Sequence, residues 1–231
     1  TLGNSSAYVA PTATGFNAPS FLAAGTTYIY TAIRRGPMKV PTDATTVFTP
    51  ITNSSTGNQT TGFTTDLVWM ANRTRAAYSN TFSMDRLRGN PAVLFTNTTN
   101  AEDSSSYGAT PINFTGSNAN TGFAATILGA NSNIYWALQR SPSFFDEVCY
   151  TATGSGNLTL THNLGAVPQM MIVKGRSGAS DWPVYHIGEN GGVNPEQYYL
   201  RLTATSAASN AVANWGNTAP TATQFTVAGN N

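Results

Sequence analysis

Residues 28–37 read YIYTAIRRGP and residues 133–142 read NIYWALQRSP, so the chain repeats itself. At an offset of 105, Ile29, Tyr30, Ala32, Ile33, Arg35 and Pro37 face Ile134, Tyr135, Ala137, Leu138, Arg140 and Pro142. A second echo brackets the chain. Residues 10–16 (APTATGF) return at 219–225 (APTATQF), and Thr121-Gly122-Phe123 between them matches Thr14-Gly15-Phe16. A unit of roughly 100 residues has the size of a whole domain and exceeds the ~20–50 residues of a solenoid repeat. The fold must therefore be one that can be copied in tandem. Such a chain suits a protein that reaches, stacks or binds repeatedly better than one built around a single catalytic pocket.

The interior of the unit repeats as well. LVWMANRT at 67–74 lines up with MMIVKGRS at 170–177, Met84-Asp85 lies opposite Tyr185-His186, and Thr98-Thr99-Asn100-Ala101-Glu102 falls near Thr205-Ser206-Ala207-Ala208. Apolar positions persist while charged and polar identities drift, as expected of one architecture carrying two surfaces. Gly36-Pro37 and Ser141-Pro142 read as linkers. Cuts there divide the chain into 1–37, the C-terminal piece of a preceding module, 38–142, a complete module, and 143–231, a second copy lacking its last strand. A permuted cut near Phe123 fits the same repeats. The chain is accordingly expected to be a segment of a longer polypeptide, or to borrow the missing partner at each end from a neighbour.

Strand signals dominate. Leu158 and Leu160 alternate with threonines, Tyr198, Leu200 and Leu202 with Tyr199, Arg201 and Thr203, and Tyr28, Tyr30 and Ala32 with Ile29, Thr31 and Ile33. Period-2 alternation of β-branched and aromatic residues marks half-buried strands. Residues 170–173 (MMIV) form a short apolar run like a sandwich-core strand. Gly89-Asn90-Pro91, Gly154-Ser155-Gly156 and the glycine-rich stretch at 188–192 punctuate these runs. The best helical candidate, residues 206–212, is short and weakened by Ser209-Asn210. The expected fold is all-β: tandem antiparallel β-sandwich domains of jelly-roll or lectin-like type. Trp69 and Trp136 are expected in the core, with Trp215 a packing residue.

Charged residues make up 9% of the chain and the net charge is +1, which leaves no electrostatic footprint for nucleic acid or an anionic membrane. No apolar run reaches the ~18 residues of a spanning helix, so no membrane insertion is expected. Cys149 is the sole cysteine, excluding an intramolecular disulfide and a cysteine metal cage. In Val148-Cys149-Tyr150 it reads as a small buried hydrophobe.

Several segments carry a resemblance: RRGPMKVPT at 34–42, DRLRG at 85–89, FFDEVCYTATG at 144–154, THNLGAVP at 161–168 and WGNTAPT at 215–221. Together they resemble a family of repeated β-domains in the tail-fibre and virion surface proteins of aquatic tailed bacteriophages. The resemblance covers nearly the whole chain and implies a virion component at the particle surface. It supplies no catalytic or binding residue to carry over. The second copy departs from the Asp-Arg-Leu-Arg-Gly pattern, reading Tyr185-His186-Ile187-Gly188 there.

No nucleophile elbow, phosphate loop or His-Glu-x-x-His pair is present. His162 in Thr-His-Asn-Leu-Gly is expected to bond a backbone group at a turn. Glycoside hydrolysis needs two carboxylates ~5–10 Å apart, whereas Glu102-Asp103 and Asp146-Glu147 are sequence neighbours whose side chains would diverge on a strand. No catalytic residue, cofactor or metal is expected. For a sugar, Asp181, Trp182, Tyr185 and His186 offer aromatic and polar groups beside the glycine-rich loop, though packing in the core is the favoured reading for Trp182. Arg86 and Arg88 could meet an anionic sugar or a neighbouring subunit, or pair locally with Asp85. Arg35 and Arg140, both followed closely by proline, are candidates for junction contacts. The reading is a non-catalytic structural and adhesive component of a phage tail fibre or related appendage. Its expected partners are other copies of itself, as a homotrimer, other virion proteins and a host-surface glycan. A capsid-decorating spacer without ligand, or a polysaccharide-degrading tailspike, are the alternatives.

Overall fold

Short apolar alternations broken by glycine, asparagine and proline can pair only as short antiparallel strands. The computed structural model is built from them, and it describes residues 10–11, 16–17, 39–54, 56–72, 80–104, 111–115, 118–126 and 133–229. The strand expected over residues 28–33, and Arg35 with it, lies outside the described residues. The chain falls into two compact units, Thr1–Pro37 and Met38–Asn231. In the first, β1 (Ala10–Pro11) pairs antiparallel with β2 (Phe16–Asn17).

The second unit begins with a sandwich. Its larger sheet combines β3 (Phe48–Ser54), β5 (Leu67–Asn72), β6 (Phe82–Asp85), β7 (Leu94–Phe95) and β10 (Asn133–Leu138) in the order β3-β10-β5-β6-β7. The smaller sheet orders β4 (Gly57–Thr60), β8 (Ile112–Asn113) and β9 (Gly122–Ala125) as β4-β9-β8. All pairings are antiparallel. Pro50 lies on β3, at the sheet edge, where a missing N–H is tolerated. Inward-facing Val68, Met70, Phe82, Met84, Tyr135 and Ala137 meet Ile112, Phe123 and Ala125 of the opposite sheet in one buried cluster. Tyr135 packs edge-on against Phe123 with ring centroids 5.4 Å apart.

The remainder rebuilds this plan. β11 (Asn157–Thr161) pairs with β16 (Gln224–Ala228) as β4 pairs with β9. A second sheet orders β12 (Met170–Ile172), β13 (Pro183–His186), β14 (Tyr198–Arg201) and β15 (Ser209–Asn210) in sequence. The register is conserved between copies. Leu67, Val68 and Trp69 face Asp85, Met84 and Ser83, and Met170, Met171 and Ile172 face His186, Tyr185 and Val184. One strand further on, Phe82 and Ser83 face Phe95 and Leu94, as Pro183 and Val184 face Arg201 and Leu200. Even the bridge Val93↔Asp103 recurs as Tyr199↔Ser209. The protein is thus all-β, with one antiparallel sandwich plan laid down twice. Residues 209–210 are extended in β15, not helical, because the sheet offers them a partner that a short helix lacks.

Three expectations are corrected. Trp69 and Trp136 are half-buried, in register with each other on the outer face of the sheet. A strand in a two-layer fold buries only alternate residues, and here Val68, Met70 and Tyr135 take the inner positions. Cys149 is exposed in a segment without strand structure. Residues 170–172 form an edge strand, with Met170 56% exposed rather than deep in a core.

Candidate functional site

Charge is scarce in this chain, and the fold gathers it where the two sandwiches meet. Asp66 precedes β5 and Arg140 follows β10, and those strands run side by side. The Asp66 carboxylate accepts the Arg140 backbone N–H at 2.8 Å and lies 3.7 Å from the guanidinium of Arg140 and 3.9 Å from that of Arg86. Arg86, in the turn after β6, is spent on the backbone. It donates to the carbonyls of Thr65 at 2.9 Å, Phe114 at 2.9 Å and Ala119 at 3.0 Å.

Arg88 is buried. It pairs with Asp85, reaches Glu102 at 3.0 Å and donates to the Ser83 carbonyl at 3.0 Å. Glu102 then crosses to the second sandwich. Its carboxylate takes two hydrogen bonds from Arg176, at 2.8 and 2.7 Å, and its backbone N–H donates to the Arg176 carbonyl at 2.9 Å. Burial opposes ionising Glu102, but the Arg176 and Arg88 guanidiniums outweigh it and hold its carboxyl below the usual range. Charge-assisted pairs of this kind are stronger than neutral ones.

A second set of bonds flanks that pair. Ser180 donates its N–H to the Thr99 carbonyl at 2.8 Å, and Lys174 Nζ reaches the same carbonyl at 3.0 Å. Trp182, 4% exposed, donates its indole N–H to the carbonyls of Phe95 and Thr98, each at 3.1 Å. Lys174 Nζ sits 5.9 Å from the centre of the same ring. The loop after β7 and the hairpin joining β12 to β13 therefore form a continuous polar joint with one aromatic anchor.

Glu147 enters this joint from the linker side. Burial pushes its carboxyl up to about 9, with Asp85 adding to the effect and Arg140 and Arg88 opposing it. Its Oε2 and the Nε of Arg140 are buried without a hydrogen-bond partner among the described residues. The acid is thus neutral near pH 7. Burial also pushes the Cys149 thiol up, with Asp85 and Glu147 contributing.

The residues read as sugar contacts separate. Trp182 faces the first sandwich, and Tyr185 is buried edge-on against Trp215 with centroids 5.9 Å apart. Neither ring is on the surface. Asp181 pairs with Arg201 at 2.8 Å. His186 is exposed, its Nδ1 accepting the Gly188 N–H at 3.1 Å. Arg86 and Arg88 serve internal partners, including Asp85 as the local pairing anticipated. His162 bonds backbone groups, Nε2 lying 3.1 Å from the Thr221 carbonyl and Nδ1 accepting from Leu164 N–H at 3.2 Å. Among the described residues no three His, Cys, Asp or Glu side chains are placed to hold a metal ion.

The part that Glu102, Arg176, Thr99 and Glu147 play in this joint escaped the reading of the sequence, which weighed Glu102 and Glu147 only as carboxylates of a hydrolytic pair. One signal was present. Glu102 falls opposite Ala208 and Asp85 opposite His186 in the repeat, so these charges belong to one copy and not to the shared core. A family model described as a domain of unknown function (DUF7483) matches twice, over residues 43–143 and 139–231. No curated protein and no solved structure matches the chain.

Proposed function

The chain belongs to the DUF7483 family, with two copies of that domain in tandem, and on that premise we propose that it is a non-catalytic structural segment of a phage virion. It forms part of a tail fibre or related appendage exposed at the particle surface, alongside other copies of itself. The observation that carries this reading is the joint. Both copies fall within one compact unit, Met38–Asn231, and Trp182, Glu102 and Arg176 tie them. Tandem domains otherwise move relative to each other unless their contact is extensive, and an appendage that projects a tip benefits from a stiff junction. The resemblance of residues 34–42, 85–89, 144–154, 161–168 and 215–221 to phage surface proteins supplies the virion context.

Contact with a host glycan belongs to the same proposal. It rests on the exposed His186 and the neighbouring turn at 188–193, and weak contacts of this kind gain strength when many copies bind together. A second reading, a spacer or capsid-decorating segment without ligand, is favoured by the burial of both Trp182 and Tyr185. Electron microscopy of particles labelled with antibody against residues 38–231 tests the location. Label on a tail appendage is the expected result, and label on the head shell, or none, contradicts it. A glycan array with the full chain separates the two readings, since binding lost in His186→Ala supports adhesion and a blank array supports the spacer.

A further inference from the structure

The two copies close one turn with different chemistry. Thr61, just after β4, donates its N–H to the Thr121 carbonyl at 2.8 Å, and its Oγ1 accepts the Phe63 N–H at 3.3 Å. His162, just after β11, donates its N–H to the Thr223 carbonyl at 2.9 Å, and its Nδ1 accepts the Leu164 N–H at 3.2 Å. The two residues hold the same place in the repeated plan. A threonine hydroxyl that bonds the backbone two residues on is ordinary local capping, and it carries no charge at any working pH. An imidazole in that place is different, because the ordinary titration of imidazole falls between about pH 5 and 8.

The partners of this ring fix its neutral form. A backbone N–H only donates, so Nδ1 offers its lone pair to Leu164. A carbonyl only accepts, so Nε2 carries the proton and gives it to Thr221 at 3.1 Å. The residue is 7% exposed, and its ring lies against Phe225 with centroids 6.1 Å apart. The groups on either side of the Leu164 N–H hold the linker. Asn163 N–H donates to the Asp146 carboxylate at 2.8 Å, and the Leu164 carbonyl accepts the Ser143 N–H at 2.7 Å. Ser143 sits at φ 60°, a left-handed conformation that residues other than glycine seldom adopt. The linker is therefore strained where these bonds fasten it.

We infer that His162 is a proton-controlled latch: as a neutral imidazole it closes the turn that fastens linker residues 143–146 to the second sandwich, and on protonation it lets the linker go. A proton from solvent on Nδ1 sets one N–H against another, that of Leu164, and burial leaves the imidazolium little water to turn to. The turn must open. Opening it draws the Asn163 N–H from Asp146 and the Leu164 carbonyl from Ser143, and the strain at Ser143 is released. Among the described residues, the segments in contact with this turn are the linker and residues 221–225. The latter hold no ionisable side chain. The linker brings Asp146 to the turn, while the charges acting on the neighbouring Glu147 are Asp85, Arg140, Arg88 and Asp66. Asp146 thus favours the imidazolium, and the Leu164 N–H and burial oppose it. This inference rests on the linker contacts and is independent of the virion role.

Heteronuclear NMR of the full chain, titrated from about pH 8 to about pH 5, tests it. Ring nitrogen shifts report the proton on His162, and amide shifts report Ser143, Asn163 and Leu164. The expected result is that all three amide signals leave their bonded positions together, with the same midpoint as the ring. His162→Thr installs the group that Thr61 uses in the first copy, and in it the three signals should hold still across the range. Should that variant not fold, His162→Gln is the second neutral replacement. Glu102 and His186 remain in both, so an acid response that belongs to either of them survives. Asp146→Asn keeps an acceptor for the Asn163 N–H, and the response must persist in it. An imidazole that stays neutral throughout, one that protonates while the three amides stay in place, a response that outlasts the imidazole, or one abolished by Asp146→Asn overturns the inference.

Discussion

Trp182 of the second sandwich donates its indole N–H to the Phe95 carbonyl of the first at 3.1 Å, so the two copies are joined through a side chain that only one of them possesses. Thr81 stands at the corresponding place before β6. The joint is thus an addition to the repeated plan and can be tested apart from it.

Replacing Trp182 with phenylalanine keeps most of the apolar contact and deletes the N–H. Two carbonyls lose a buried donor, and the expected loss is about 1–2 kcal/mol. Trp182→Ala removes the anchor as well and is expected to cost ~3–5 kcal/mol. Denaturant unfolding followed by circular dichroism measures both; a Trp182→Phe chain as stable as the unaltered one would show that the hydrogen bonds contribute nothing, and equal losses would show that the ring contact contributes nothing.

Acid should loosen the joint. The Glu102 carboxyl is held below its ordinary range in the folded chain, so its contribution is present above the ordinary glutamate value and lost as pH falls through the lowered folded value. Glu102→Gln is expected to destabilise the chain by about 1–2 kcal/mol at neutral pH and to remove this acid dependence. Melting temperature across the acid range, with and without the substitution, is the measurement.

Glu147 works in the opposite sense. Its carboxyl is raised to about 9 from 4.5, so the folded state holds a proton that the unfolded state has released between those values. Stability is highest below the ordinary carboxylate value, falls as pH rises toward about 9 and changes no further above it. Glu147→Gln should therefore raise the melting temperature at pH 8, on a scale of ~2–4 °C per kcal/mol. It should also flatten the decline on the alkaline side. A variant whose melting curve follows that of the unaltered chain at every pH contradicts the assignment.

Gly122 tests the smaller sheet of the first sandwich. A Cβ there would lie 1.9 Å from the Gln59 carbonyl oxygen across the β4–β9 pair. Gly122→Ala must separate these strands, at an expected cost of ~1–3 kcal/mol, and urea unfolding measures it. The corresponding position in the second copy, at the start of β16, is Gln224, where no such approach binds the residue choice.

The repeated plan was legible because apolar identity survived at the inward positions. Val68 and Met171, or Met84 and Tyr185, keep a face even as size changes, and register follows from the face. Trp69 and Trp136 misled because an apolar run does not say which of its alternating residues points inward. Cys149 misled for a different reason. Its run looks like a strand, but a strand needs a partner, and no partner is paired with it among the described residues. The joint was illegible because its pairs, Glu102 with Arg176 and Trp182 with Phe95, join residues 74 and 87 positions apart and have no counterpart in the other copy. Repetition exposes what copies share and hides what one copy adds.

Residual dipolar couplings of backbone amides, collected for residues 43–143 and for residues 145–229 in one aligned sample, test most directly whether the two sandwiches are locked by the Trp182 and Glu102 joint. A single alignment tensor should fit both sets and should split into two when Trp182 is replaced by alanine. Two tensors of unequal magnitude in the unaltered chain would mean that the sandwiches move independently, and the account of a stiff tandem segment would be wrong.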